Sequence, residues 1–162
     1  MKVSIVIPTF NGGTLLLECI NSILKQQTQD LFEIIIIDSE SYDGSIKKIR
    51  CILEESSVQF KIISIQNIDF KHGNSRNKAI ETCSGEIIVL LTQDAIPSNK
   101  FWLKNLVSNF DFDLEIAGVF GKHQAHESHP SLVHRDIENH FLCMAEIIER
   151  KINDIDEYNN DE

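Results

Sequence analysis

The sequence predicts an α/β fold, a mostly parallel sheet with helices on both faces and a further helix toward the C-terminus. Three observations carry that expectation. Short apolar runs alternate with segments whose apolar residues recur at helical spacing. The second run, Phe32-Glu33-Ile34-Ile35-Ile36-Ile37-Asp38, is a nearly unbroken β-branched block of the kind found in strands covered on both faces. Polar residues follow the apolar runs, where loops at one sheet edge would lie.

Val3 to Ile7 is the first strand, closed by Pro8, and reads as a strand rather than a signal peptide because it is too short and has no small-residue cleavage site. Asn11-Gly12-Gly13 makes a turn into a helix from Thr14 to Gln27, with Leu16, Ile20, Ile23 and Leu24 on one side. After the isoleucine strand, Gly44 to Glu55 is a helix with Ile46, Ile49, Ile52 and Leu53 aligned. Phe60 to Ile65 is a third strand, and Ser75 to Cys83 a short helix stopped by Ser84-Gly85. Ile87 to Leu91 is a fourth, buried strand, Ser98 to Phe110 a helix, and Ile116 to Phe120 a fifth strand. Beyond Gly121 the rhythm stops: a loop from His123 to Ser131 precedes a helix from Leu132 to Ile152 and an acidic tail. The expected division is an α/β ligand-binding domain over 1–121 and a loop, helix and tail over 122–162.

At 162 residues, 42% hydrophobic and 25% charged, the chain can bury a core without disulfides or structural metal. Cys19, Cys51, Cys83 and Cys143 form no C-x-x-C pair and read as free, buried thiols. The net charge of -10 argues against nucleic acid as a partner. It also means that an anionic ligand needs a metal ion or a few well-placed Arg or Lys. The expected location is cytoplasmic, including a peripheral position at the inner membrane face. The 132–152 helix has apolar residues enough to pack on the sheet or on a second copy in a homo-oligomer.

Right-handed crossovers put the carboxyl ends of parallel strands on one edge, where ligands bind. Four segments are thereby singled out. Pro8-Thr9-Phe10-Asn11-Gly12-Gly13 is neither a P-loop nor a G-x-G-x-x-G turn, and alone it is only a strand-to-helix connection. In Asp38-Ser39-Glu40-Ser41-Tyr42-Asp43-Gly44-Ser45, a carboxylate ends an apolar strand and can accept hydrogen bonds from a ribose or base imide, while Asp43 and Ser45 read as helix caps. His72-Gly73-Asn74-Ser75-Arg76-Asn77 offers backbone amides at a helix start and a guanidinium, both suited to a diphosphate. In Thr92-Gln93-Asp94-Ala95, Asp94 stands where a divalent ion bridging a diphosphate would be held.

Taken together and in this order, Pro8-Thr9-Phe10-Asn11, Asp38 with Ser41-x-Asp43-Gly44-Ser45, His72-Gly73-x-x-Arg76-Asn77, Gly85-Glu86 and Asp94 resemble glycosyltransferase family 2 from about Val3 to Gly121. The third and fourth segments look most like its rhamnosyltransferase-like branch. The resemblance implies a GT-A-type fold and an inverting glycosyltransferase that uses a nucleotide-diphosphate sugar, dTDP-rhamnose or a UDP-sugar, and a glycan or lipid-linked acceptor. It implies nucleotide-sugar binding by Pro8, Thr9, Asn11, Asp38, His72, Gly73, Arg76, Gln93 and Asp94, with Asp94 also holding Mg2+ or Mn2+. Thr92 replaces the first acidic residue of the family's D-x-D, which removes one carboxylate from the metal site.

The catalytic base of an inverting transfer is not assigned. The carboxylates after Gly121 are Glu127, Asp136, Glu138, Glu146 and Glu149, then the tail, and none ends a recognisable strand. His123, His126, His129, His134 and His140 crowd one region at spacings suited to a metal, but without the Cys or Glu of a zinc motif they read as part of a mobile loop. Two rival readings stand beside the enzyme: a nucleotide-sugar-binding module without transferase activity, and a nucleotidyltransferase. The second would want a basic, glycine-rich loop after the first strand, and Thr9 to Gly13 has no basic residue.

Overall fold

The computed structural model describes residues 2–111, 116–126 and 129–144. The chain forms two compact units, Met1–Ala117 and Gly118–Glu162. The first contains a parallel four-stranded sheet of β1 (Lys2–Thr9), β2 (Leu31–Asp38), β3 (Gln59–Ser64) and β4 (Ile87–Leu90), in the order β3-β2-β1-β4. β1 and β2 pair over their whole length, Lys2 with Leu31 through Thr9 with Asp38. The strand order reverses between β1 and β4, the switch point at which open α/β sheets bind ligands.

Period-two alternation splits the apolar residues between two layers. Val3, Ile5, Ile7, Ile34 and Ile36 pack with Leu16, Cys19, Ile20 and Ile23 of α1 (Gly13–Leu24), Ile49 and Leu53 of α2 (Ser45–Glu54), and Leu103 and Val107 of α4 (Trp102–Val107). Val6, Ile35, Ile37 and Ile65 pack with Ala79 of α3 (His72–Ile80) on the other face. Ile34 to Ile37 are fully buried, and each such side chain contributes roughly 1.5–3 kcal/mol. Helices on both faces explain why this strand is apolar without alternation.

Several boundaries differ from the sequence expectation. Pro8 lies inside β1, opposite Ile37, and does not close it. Even-numbered β1 residues direct their backbone groups toward β4, as the bonds from Glu86 N to the Lys2 carbonyl and from Leu91 N to the Val6 carbonyl show. Pro8 therefore lacks its N–H on the side where the β4 ladder has already ended. β4 is an edge strand, and Leu90 is 52% exposed rather than buried. α4 is shorter than Ser98 to Phe110 at both ends: after Val107 the chain tightens into a 3-10 helix over Ser108–Asp111, and at the start two side chains claim amides. Asn99 Oδ1 accepts from Phe101 N–H at 2.8 Å, and Gln26 Oε1 from Leu103 N–H at 2.9 Å. The expected strand at Ile116 to Phe120 does not form: those residues are irregular, and a strand exists only by pairing. Cys51 is exposed, against the expectation of buried thiols; Cys19 is buried, Cys83 half-buried, and the Cys143 side chain lies outside the described residues.

The second unit contains α5 (Ser131–Met144). The remainder of the expected helix to Ile152, and the acidic tail, lie outside the described residues.

Candidate functional site

The loops after β1 and β2 are joined by a set of side-chain-to-backbone bonds at the carboxyl edge of the sheet. Asn11 N–H donates to Ser41 Oγ at 2.8 Å, and Tyr42 N–H returns to Asn11 Oδ1 at 2.9 Å. Gly13 N–H donates to Asp43 Oδ2 at 2.8 Å, and Ser39 N–H to the Thr9 carbonyl at 3.0 Å. Asp43 Oδ1 also accepts from Ser45 N–H at 3.0 Å, but neither residue is the expected cap of α2: Gly44, at φ 78°, is the N-cap, and Ser45 is the first residue of the helix. Hydrogen bonding from Ser45, ahead of that from Gly13, holds the Asp43 carboxyl below its ordinary range. Asn11 and Glu40 take left-handed backbone, φ 48° and 63°, a conformation that costs a residue other than glycine and tends to cluster at ligand sites. Each is held by its own side chain: Asn11 as above, and Glu40 through Oε2, which accepts from Asn67 N–H at 3.0 Å.

Asp38 ends β2 within this lattice and is nearly buried. Its two oxygens share the Ser41 N–H at 3.2 and 3.3 Å, which leaves acceptor capacity on both. Beside it, the Ser39 hydroxyl is buried with no partner among the described residues.

Across the switch point, Gln93 Oε1 accepts from Thr9 Oγ1 at 2.7 Å and from Phe10 N–H at 2.9 Å. Gln93 thus ties the β4 loop to the β1 loop, a role its sequence position does not announce. Asp94, in the turn closed by Ala95 N–H donating to the Thr92 carbonyl, is exposed and accepts no hydrogen bond from the described residues. Burial, and secondarily the Asp94 charge, push the Cys19 thiol up to about 12, so Cys19 is an inert core residue beneath that turn.

Phe10 and Tyr42 were not anticipated. They are 39% and 83% exposed, and their rings meet edge-on at 6.1 Å above the two loops. The only available signal was an aromatic residue placed in each of two turn segments.

The third segment is arranged differently from the expectation. α3 begins at His72, so Gly73 lies within its first turn and Arg76 in its second. The start falls there because Ser75 bonds back to Lys71 twice, accepting Lys71 N–H at Oγ and donating its own N–H to the Lys71 carbonyl. Arg76 Nη1 donates to the His72 carbonyl at 3.0 Å and lies 3.4 Å from His72 Nδ1, while Phe70 meets the His72 ring edge-on. Hydrogen bonds thus unite Thr9, Asn11 and Gln93 with the loops around Asp38. Among the described residues His72 and Arg76 bond to each other and not to that group.

A second buried carboxylate lies near the opposite end of the sheet. Glu33 Oε1 accepts from Ser4 Oγ at 2.7 Å, Ser84 N–H at 2.6 Å and Ser84 Oγ at 2.7 Å. Burial alone would raise its pKa, but these bonds together with Lys61 outweigh it and lower the value from 4.5 to about 2. Gly85 follows, with its N–H on Ser4 Oγ, and a Cβ there would lie 2.6 Å from Ser4 N. This accounts for the glycine of the Gly85-Glu86 pair.

In the second unit, Asp136 pairs with Arg135 at 3.2 Å on the exposed surface of α5, and Glu138 is exposed on the same helix. Glu127, Glu146 and Glu149 lie outside the described residues. Among the described residues no group of three or more His, Cys, Asp or Glu is placed to hold a metal, and no helix is long and apolar enough to cross a membrane.

The chain is similar to proteins of one kind. It is 38% identical over 136 residues to the O-antigen chain rhamnosyltransferase RfbN of Salmonella typhimurium, covering 83% of this chain and 41% of that protein. It is 35% identical over 133 residues to the O-antigen chain rhamnosyltransferase WbaN of Salmonella anatum, covering 81% and 40%. The chain therefore spans about two-fifths of the length of these relatives. Among solved structures, the mannosyltransferase PcManGT of Pyrobaculum calidifontis, in complex with GDP-Man and Mn2+, superposes with a TM-score of 0.65 at 26% identity, over 70% of this chain and 33% of that one. The fold is of the GT-A type. The family model for glycosyl transferase family 2 matches residues 4–159, and the chain belongs to that family.

Proposed function

We propose that this chain is the donor-binding part of an inverting glycosyltransferase that moves a sugar, rhamnose, from a nucleotide-diphosphate donor to a glycan or lipid-linked acceptor. The observation that carries the reading is the convergence of three loops at one sheet edge, with the near-buried Asp38 and the exposed Asp94, unbonded among the described residues, on either side of the Gln93 bridge. The similarity to two rhamnosyltransferases supports the sugar, and dTDP-rhamnose is the donor proposed, ahead of a UDP-sugar.

In this reading the free acceptor capacity of Asp38 receives the deoxyribose 3′-hydroxyl or the base imide, and Pro8, Thr9 and Asn11 shape the pocket wall through the bonded loops. Arg76, with the first amides of α3 at His72 and Gly73, supplies positive potential in a chain of net charge -10. Asp94 fits a divalent cation of the Mg2+ or Mn2+ type, because such ions take one or two protein carboxylates and fill the remaining positions with phosphate oxygens and water. Bound there, the ion would stabilise the diphosphate leaving group. With one carboxylate, since Thr92 stands at the other position, metal affinity should depend strongly on the diphosphate.

The domain limits proposed are 1–121 for donor binding and 122–162 for the start of the acceptor part. The proposed setting is the cytoplasm or the inner face of the membrane. One observation favours a module that binds nucleotide sugar without transferring it: the carboxylates described in the second unit lie exposed on α5, and Asp136 is paired to Arg135.

Calorimetric titration of the chain with dTDP, UDP and GDP in the presence of Mn2+ tests the reading. Saturable binding of one nucleotide in preference to the others is expected, and absence of binding by all three would overturn it.

A further inference from the structure

Arg76 has one guanidinium nitrogen committed within the protein. Its Nη1 donates to the His72 carbonyl at 3.0 Å and lies 3.4 Å from His72 Nδ1, while Nε and Nη2 have no partner among the described residues. A guanidinium carries donors only, so a hydrogen bond across this contact makes Nδ1 the acceptor and leaves the ring proton of His72 on Nε2. Nε and Nη2 form the side of the guanidinium that grips an oxoanion or a pair of oxygens through two parallel bonds. Binding Nη1 leaves that side available and removes rotational freedom the side chain would otherwise lose on meeting a ligand. The His72 ring is itself braced by Phe70, whose ring meets it edge-on with centroids 5.1 Å apart.

We infer that His72 is a positioning residue for Arg76: through Nδ1 it orients the guanidinium so that the Nε–Nη2 side faces the nucleotide-sugar. This rests on the donor-binding reading and deepens it, because it assigns His72 an action through Arg76 rather than a contact of its own with the diphosphate.

Two measurements test it. The first needs no nucleotide. Long-range proton–nitrogen correlation on the 15N-labelled chain at about pH 8, where an ordinary imidazole is neutral, should show His72 as the Nε2–H tautomer, and Arg76→Ala should shift it toward a mixture of tautomers. An Nδ1–H tautomer in the wild type, or no change in the variant, would overturn the inference. The second compares dTDP affinity across substitutions. Asparagine can place an oxygen near the position of Nδ1, whereas glutamine can place a donor near Nε2. His72→Ala should weaken binding about threefold to tenfold, the worth of one hydrogen bond. His72→Asn should recover most of that loss and His72→Gln little of it, and in an Arg76→Ala background the His72→Ala change should add less than about twofold. Recovery by glutamine alone, or a full additional loss in the Arg76→Ala background, would show that His72 meets the ligand directly. If the wild type binds no nucleotide, the donor-binding reading fails, and the tautomer measurement still decides whether the pair exists.

Discussion

The carboxamide of Gln93 pairs at both ends with the backbone of Phe10: Oε1 accepts the Phe10 N–H at 2.9 Å, and Nε2 donates to the Phe10 carbonyl at 3.3 Å. With the Thr9 hydroxyl on the same Oε1 at 2.7 Å, one side chain closes the gap between the β1 and β4 loops where the strand order reverses. Gln93→Ala should lower stability by about 1–3 kcal/mol, since it leaves the Thr9 hydroxyl and the Phe10 amide to find other partners. Amide exchange at Phe10 should accelerate by more than the general increase that lower stability brings to the core amides of β2. Unaltered protection at Phe10 would show that the bridge does not hold the loop.

Asp38 combines a backbone bond with the proposed ligand contact, and one substitution separates them. Asp38→Asn keeps an oxygen for Ser41 N–H but removes the charge and part of the acceptor capacity. The variant should fold with a melting temperature close to that of the wild type and bind nucleotide at least about tenfold more weakly, in line with the loss of a charge-assisted bond. Calorimetry and thermal melting, run together, read both quantities.

Glu33 predicts an acid sensitivity with a defined window. Its folded pKa, about 2, is depressed from the ordinary 4.5, so the native state favours the carboxylate. The associated stability is therefore fully present above about pH 4.5 and is lost as pH falls toward about 2. The full span of that shift is on the order of 3 kcal/mol. Glu33→Gln should be destabilised at pH 7, and its disadvantage relative to the wild type should shrink between pH 5 and roughly pH 2. Denaturant melts across that range would contradict the account if the two proteins stayed equally far apart.

Gly85→Ala should be among the most damaging single-methyl additions. The new Cβ would sit 2.6 Å from Ser4 N, a backbone atom of the central strand that cannot move without breaking the β1 ladder. A loss of about 1–3 kcal/mol is expected by chemical denaturation, against a few tenths for an exposed control such as Asn77→Ala.

The layer architecture was legible because apolar pattern and burial report the same physics: four consecutive isoleucines belong in a strand packed on both faces. The strand-end position of Asp38 followed from that pattern, and the turn from Asp43 into α2 from local turn chemistry. What was not legible depended on distant partners. Gln93 is expected from the resemblance to bind the nucleotide-sugar, and its bridge to Phe10, 83 positions away, exists only once the chain has folded. Glu33 interrupts an apolar run, and only the arrival of Ser4 and Ser84 makes its burial tolerable. The start of α3 was misplaced because Lys71 carries no capping side chain and the cap comes from Ser75 within the helix. Ile116 to Phe120 has strand composition, but pairing is a tertiary property and those residues have none among the described residues.

Asp94 is the residue on which the metal-assisted donor site rests, and its carboxylate is exposed and free of hydrogen bonds from the described residues. The most direct test is calorimetric titration of dTDP into wild type and Asp94→Ala, each with and without Mn2+. The account predicts binding that tightens with Mn2+ in the wild type and a loss of that metal dependence in the variant. Equal affinity with and without Mn2+ in the wild type would contradict it, and would leave Arg76 and the amides of α3 as the diphosphate site.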